Sequence, residues 1–230
     1  MIAIPATPNL WMRSIGSAGI TPALLLCLVG LTLWSTNQAS TLPGADAHWL
    51  SILVSLVAVA LGCLALSRVR PQRAGLSPPH VMLSLGFGGM LLGFAYDWSG
   101  AGPAQLGSLC AQSAGLGIWQ SLQLHLQYLP GMHLGMLAGG MLAIPGLRML
   151  RAHCGRYLCS LLLQNLMCSG WMLLGMTAGA VWLVRLQLTV SSPSITAMLG
   201  GMFVGMTWGM VLSVALYRAY FSMRGKRSAS

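Results

Sequence analysis

Glutamate is absent from this 230-residue chain, and the only acidic residues are Asp46 and Asp97. Charged residues make up 6% of the sequence, whereas a soluble domain usually has about 25%. So few charges cannot cover a water-exposed surface, so the lipid bilayer must be the main solvent. The shortage of carboxylates also removes the usual residues of acid–base catalysis and of proton-coupled transport.

Signatures of the common enzyme and cofactor classes are missing as well. The chain has no Walker A motif, no GxSxG and no HExxH. Their absence argues against the common ATPases, serine hydrolases and zinc metalloproteases. Its six cysteines form no CxxC or CxxCH, so the sequence does not indicate a zinc-ribbon, thioredoxin-like or c-type haem site. We therefore predict no catalytic residues, no certain cofactor and no enzymatic activity.

Apolar residues are what the chain has in abundance, at 56%. A membrane-spanning helix needs about 20 consecutive apolar residues. Six stretches meet this need: 17–36, 49–67, 80–97, 131–149, 157–184 and 195–217. The sequence predicts an all-α, polytopic membrane helix bundle with about six transmembrane helices, and residues 1–230 form a single integral membrane domain.

The six-span path places nearly all basic residues on one side of the membrane. Eleven of the twelve fall on one side, while Asp46, Asp97 and Arg185 fall on the other. The eleven are Arg13, Arg68, Arg70, Arg73, Arg148, Arg151, Arg156, Arg218, Arg224, Lys226 and Arg227. Cytoplasmic loops near spans carry excess Lys and Arg, so both termini are predicted to be cytoplasmic, with residues 218–230 as a basic tail. The net charge of +10 then indicates contact with lipid headgroups rather than with nucleic acid.

Two segments allow alternatives. Residues 13–40 could be a signal peptide cleaved at the A-x-A of 45–47, but that site lies far beyond the apolar core, which favours a retained helix. Residues 99–130 could hold a seventh span or a strand, although a seventh span would move three arginines outside. We predict an amphipathic segment on the outer surface. Its two faces are Gln120, Gln123 and Gln127, and opposite them Trp119, Leu122, Leu126 and Leu129.

A glycine–methionine pattern recurs in the last four spans. In 195–217, methionines and glycines each repeat every four residues, and 131–149 repeats the arrangement. Residues four apart share a helix face, and a glycine and the next residue lie about 100° apart, so the two stripes are adjacent. GxxxG glycines let neighbouring helices approach closely. We predict that 80–217 is a Gly/Met-rich four-helix unit and that 17–67 is a peripheral helix pair.

The methionine stripes permit two interpretations. Flexible thioethers fill irregular gaps between helices, and they also select Cu(I) over hard cations. MxxxM beside GxxxG resembles, over a few positions, the pattern of eukaryotic high-affinity copper transporters, which implies thioether sites for Cu(I). The candidate metal ligands are Met132, His133, Met136, Met172, Met176, Met198, Met202 and Met206.

Two functions follow from these interpretations. The first is an inner-membrane transporter or handler of a soft metal ion such as Cu(I). The alternative is a non-catalytic membrane subunit or assembly factor whose Gly/Met faces pack against partner helices, in a homo-oligomer or a membrane complex. Asp97 is expected to be solvated at the outer interface or paired with Arg185.

Overall fold

The computed structural model describes residues 20–39, 46–69, 78–150, 158–188 and 194–227. Every regular element in these ranges is a helix, which confirms the all-α prediction. The helices are α1 Ile20–Ala39, α2 Asp46–Val69, α3 Pro78–Gly115, α4 Ile118–Tyr128, α5 Pro130–Leu150, α6 Leu158–Leu188 and α7 Ile195–Arg227.

Four of the described helices contain a stretch that is long and apolar enough to cross a membrane. The stretches are Trp49–Arg68, Pro79–Gly102, Asn165–Leu188 and Ile195–Ala219. They are consistent with an integral membrane protein. Several residues used above to orient the chain lie outside the described ranges, namely Arg13, Arg70, Arg73, Arg151 and Arg156, as do residues 13–19 and 40–45 of the signal-peptide alternative.

Helix α3 is interrupted at Gly102, whose φ of 74° and ψ of 163° are not helical. Glycine adopts a positive φ without steric cost, and the following Pro103 disfavours a helical conformation at the residue before it. The apolar stretch therefore ends at Gly102. The chain from there to Gly115 forms a separate helical segment, where the sequence indicated only a surface connection.

Helices α3 and α5 pair through glycine. Gly89 faces the backbone of Gly135, Gly93 faces Gly131, and Gly139 faces the carbonyl of Leu85. A β-carbon on Gly89, Gly93, Gly135 or Gly139 would collide with backbone atoms of the other helix, and one on Gly131 would collide with the carboxylate of Asp97. Because the residue number rises along one helix as it falls along the other, the two helices are antiparallel.

Helices α6 and α7 repeat the same packing. Gly175 faces Gly205, Gly179 faces Gly201, and Gly209 faces the carbonyl of Trp171. These helices are again antiparallel, with three contact levels spaced four residues apart. The two glycine-paired hairpins thus share one design, as an internal duplication would produce.

The methionines fill the space between the two hairpins. The methyl group of Met206 on α7 lies 3.5 Å from the position of a β-carbon on Gly86 of α3. The methyl group of Met172 on α6 lies 3.8 Å from the corresponding position on Gly140 of α5. The glycine stripe therefore joins helices within a hairpin, and the adjacent methionine stripe joins one hairpin to the other.

Helices α1 and α2 pack on this four-helix unit along α7. Gly62 of α2 lies against Thr207, Ser55 lies against Gly200, and Trp208 Nε1 donates a hydrogen bond of 3.1 Å to the carbonyl of Ala58. The matching rise in residue number shows that α2 and α7 run parallel. Helix α1 returns antiparallel to α2, with its Trp34 ring 5.2 Å from the Trp49 ring.

Candidate metal site

All eight predicted ligands are buried, each with at most 1% of its surface exposed. They lie on α5, α6 and α7: Met132, His133 and Met136 on the first, Met172 and Met176 on the second, and Met198, Met202 and Met206 on the third. Burial suits both a packing role and an ion-binding role. Within the described ranges, no group of three or more His, Cys, Asp or Glu residues could hold a metal ion. A metal site among these residues must therefore use methionine thioethers, or no more than two imidazole ligands.

His133 is held in one tautomer near the start of α5. Its Nδ1 lies 2.8 Å from the carbonyl oxygen of Leu129, one turn earlier. A carbonyl can only accept, so Nδ1 carries the proton and donates it. Nε2 is then an unprotonated acceptor, and it is buried without a hydrogen-bond partner. A histidine that donates one ring nitrogen to a backbone carbonyl and leaves the other open has the usual arrangement of a metal ligand.

A second buried histidine, His125 on α4, lies beside His133. Their ring centres are 6.4 Å apart, and both ring nitrogens of His125 are buried without a hydrogen-bond partner. Burial, together with a smaller effect of His133, lowers the pKa of His125 to about 4. His125 is therefore neutral at pH 7 and presents an uncharged ring nitrogen. The sequence placed it only on the outer side of the membrane.

Helix α4 contacts the bundle through a face that contains polar as well as apolar residues. Ser121, Leu122 and His125 are buried, whereas Trp119 is 66% exposed and Leu126 is also exposed. Of the predicted apolar face, Leu122 and Leu129 are therefore buried against the bundle, while Trp119 and Leu126 are exposed. The hydroxyl of the small Ser121 donates to the carbonyl of Ser113 at 3.3 Å, which lets α4 approach the end of α3. A pattern available in the sequence was His125 at helical spacing from Leu122 and Leu129.

Cys110 and Met198 form a thiol–thioether contact. The Cys110 Sγ donates to the Met198 Sδ at 3.4 Å, and both residues are buried. Burial raises the pKa of the Cys110 thiol to about 12, so it remains protonated. Met198 is one of the predicted ligands. Its partner was missed because Cys110 falls in the 99–130 segment predicted for the outer surface; in the structure it lies in the helical segment after Gly102 and reaches the bundle.

Asp97 joins α3 to the N-terminus of α5. Its Oδ1 accepts a hydrogen bond from the Gly131 amide at 3.0 Å, and its Oδ2 accepts one from the Met132 amide at 2.8 Å. Asp97 was expected to be solvated or paired with Arg185; only 8% of it is exposed, so it is not solvated. The first amides of a helix lack intrahelical partners and carry partial positive charge, which a carboxylate satisfies. Asp97 therefore fixes the turn that carries Met132 and His133.

Arg185 anchors the same end of the bundle at another point. Its Nη2 donates a hydrogen bond of 2.7 Å to the carbonyl of Leu116, which connects α6 to the link between α3 and α4. This contact holds the link before α4 against α6, and Asp97 holds α3 against the start of α5. The region around His125 and His133 is thus fixed from three helices.

No protein-family model, curated protein or solved structure matches this chain.

Proposed function

We propose that this chain is a multi-pass inner-membrane protein that crosses the bilayer six times, with both termini in the cytoplasm. The alternating directions of the helices support this path, because each hairpin is antiparallel and α2 runs parallel to α7. Arg68 near the end of α2 and Arg218 on α7 then lie at the same side, where the charge rule places the cytoplasm. Helices α1 and α5 supply the fifth and sixth spans.

The function that the geometry supports best is binding and transport of a soft metal ion, Cu(I). The observation that carries this proposal is the buried Nε2 of His133, which has no hydrogen-bond partner. In the sequence His133 lies between Met132 and Met136, and both methionines are buried as well. An unpaired buried nitrogen costs about 1–3 kcal/mol, and a bound ion would remove that cost. Thioether and neutral imidazole ligands suit a monovalent soft ion.

In the proposed mechanism, the ion moves between neutral ligands. Met132, His133 and Met136 receive it at the outer end, and Met172, Met202 and Met206 carry it inward, with Met176 and Met198 along the same core. Each transfer exchanges one weak ligand for another and needs no carboxylate or covalent step. The chain has no catalytic role in this proposal.

A second candidate is a non-catalytic membrane subunit or assembly factor. Within each hairpin, the glycine faces of the two helices pack against each other, so a partner helix would need another surface. One such surface is the face of α3 formed by Gly88, Leu92 and Tyr96, where Gly88 has no neighbour within 4 Å and Leu92 is 77% exposed. This face could contact lipid or a partner helix of the same or another chain.

Replacing two buried thioethers separates transport from packing. Leucine conserves the volume and apolarity of methionine, so Met202→Leu with Met206→Leu should cost less than about 1.5 kcal/mol per site. We expect folded protein that no longer carries copper, measured as cellular copper content and as growth under copper limitation and copper excess. The matched control is Met141→Leu with Met167→Leu, two exposed methionines outside the predicted set. Wild-type copper content and growth in the buried double variant would end the metal proposal.

A further inference from the structure

The interior near the start of α5 holds three unpaired ring nitrogens in a small volume. They are Nδ1 and Nε2 of His125 and Nε2 of His133, all buried without a hydrogen-bond partner. Native proteins leave few buried polar groups unpaired, and such groups usually mark an ion or a water that completes the site. Three on two adjacent rings therefore call for a specific occupant.

The separation of the rings indicates the size of that occupant. A direct N–H···N hydrogen bond would bring the two ring centres to roughly 5 Å. The observed separation is 6.4 Å, with the ring planes inclined at 33°, which is too long for a direct N–H···N hydrogen bond. When two imidazole nitrogens bind one ion from opposite sides at about 2 Å, the ring centres lie roughly 6 Å apart.

The ligand count restricts the kind of metal. Zinc sites use three or four protein ligands, usually His, Cys or carboxylates. The described residues contain no group of three such side chains, so the pair stands without a third ligand of that kind. Two neutral imidazoles that bind one ion from opposite sides form a linear site, a geometry that Cu(I) accepts and that hard divalent cations do not.

We propose that His125 and His133 together form a two-imidazole Cu(I) site at the outer end of the bundle, with α4 supplying a ligand absent from the thioether series. The site deepens the proposed function and rests on it, since it would be the point at which an arriving ion first enters the protein interior. The hydrogen bond from His133 Nδ1 to the carbonyl of Leu129 leaves Nε2 free to bind the ion. Asp97 holds the first turn of α5, which carries His133, through the amide of Met132. Helix α4 is then a functional element rather than a surface connection.

The identity of the bound atoms gives the most direct test. The full-length wild-type protein, purified in detergent under argon, is loaded with one equivalent of Cu(I) supplied as its acetonitrile complex. X-ray absorption at the copper edge distinguishes nitrogen neighbours near about 2.0 Å from sulfur neighbours near about 2.3 Å. We expect two nitrogen neighbours. One nitrogen neighbour together with sulfur would overturn the part of His125 and leave the site of Met132, His133 and Met136 standing. Sulfur neighbours alone would remove both histidines as ligands and leave only transfer between thioethers, whereas absence of bound copper would overturn both proposals.

A variant then tests the contribution of His125. His125→Gln should weaken Cu(I) binding at least about tenfold in competition with a chromogenic chelator, since even indirect support of a ligand typically contributes that much. The control is His80→Gln, which changes a buried histidine near the other end of α3 and should leave the affinity unchanged. Equal affinity of the His125 variant and wild type would contradict the proposal. If the variant does not fold, the wild-type spectrum alone decides.

Discussion

Gly89→Ala should destabilise the protein severely, while Gly88→Ala, at the adjacent residue, should leave it folded. A β-carbon on Gly89 would collide with the carbonyl of Gly135, and neither backbone can move without separating α3 from α5. A β-carbon on Gly88 meets nothing within 4 Å. Both changes carry the same gain in helix propensity, up to about 1 kcal/mol, so the difference between them isolates the helix contact.

The expected loss for Gly89→Ala is about 3 kcal/mol, the upper end of the overpacking range, because the obstacle is backbone rather than a flexible side chain. The measurement is the midpoint of thermal unfolding in detergent, followed by the fluorescence of the eight tryptophans, with the yield of monodisperse protein as a second readout. The second hairpin offers a matched pair, Gly205→Ala against Gly170→Ala, since only the first meets a facing backbone. Equal midpoints within either pair would show that the helices do not approach as described.

Removal of the Asp97 carboxylate should have an effect of similar size. Asp97→Ala leaves the amides of Gly131 and Met132 without the partner they have in the structure, at about 1–3 kcal/mol each. Asp97→Asn retains one acceptor but turns an N–H group toward the other amide, so we expect a loss of about 2–4 kcal/mol. The same unfolding midpoint measures both variants.

Ser99→Ala provides the control for Asp97. Ser99 lies in the next half-turn, is exposed, and donates only to the carbonyl of Tyr96 within its own helix. Its removal should change the free energy of unfolding by less than about 0.5 kcal/mol. If Asp97→Asn were as harmless as Ser99→Ala, the carboxylate would not be holding the start of α5.

Periodicity in the sequence predicted the helices and the adjacent glycine and methionine stripes. It could not tell which glycine faces would meet, because Gly131, Gly135 and Gly139 fit any GxxxG partner equally well. The structure pairs them with α3, across the whole of α4, rather than with α6, the next helix in the chain. Partner choice depends on the shape of two complete helix faces, which no single segment contains.

The residues missed at the candidate site share a physical cause. An amphipathic pattern distinguishes a polar face from an apolar one, but α4 has three environments: the bundle, an exposed apolar side and an exposed glutamine side. His125 belongs to the bundle face, which hydropathy does not mark. Asp97 was expected to be solvated because a charge at a helix end usually is, and its acceptor role depends on two amides more than thirty residues away in the chain.

In the proposed six-span path, the bundle crosses the bilayer with the histidine pair on the side opposite to the arginine-rich ends of α2 and α7. A single cysteine placed at Gly100, in a cysteine-free background, marks the first side, and one placed at Ser230 marks the second. Labelling intact cells with a membrane-impermeant thiol reagent measures which side each occupies. We predict labelling at position 100 and none at position 230 until the cells are opened. Labelling of both positions, or of neither, in intact cells would contradict the six-span path and the direction of ion entry that depends on it.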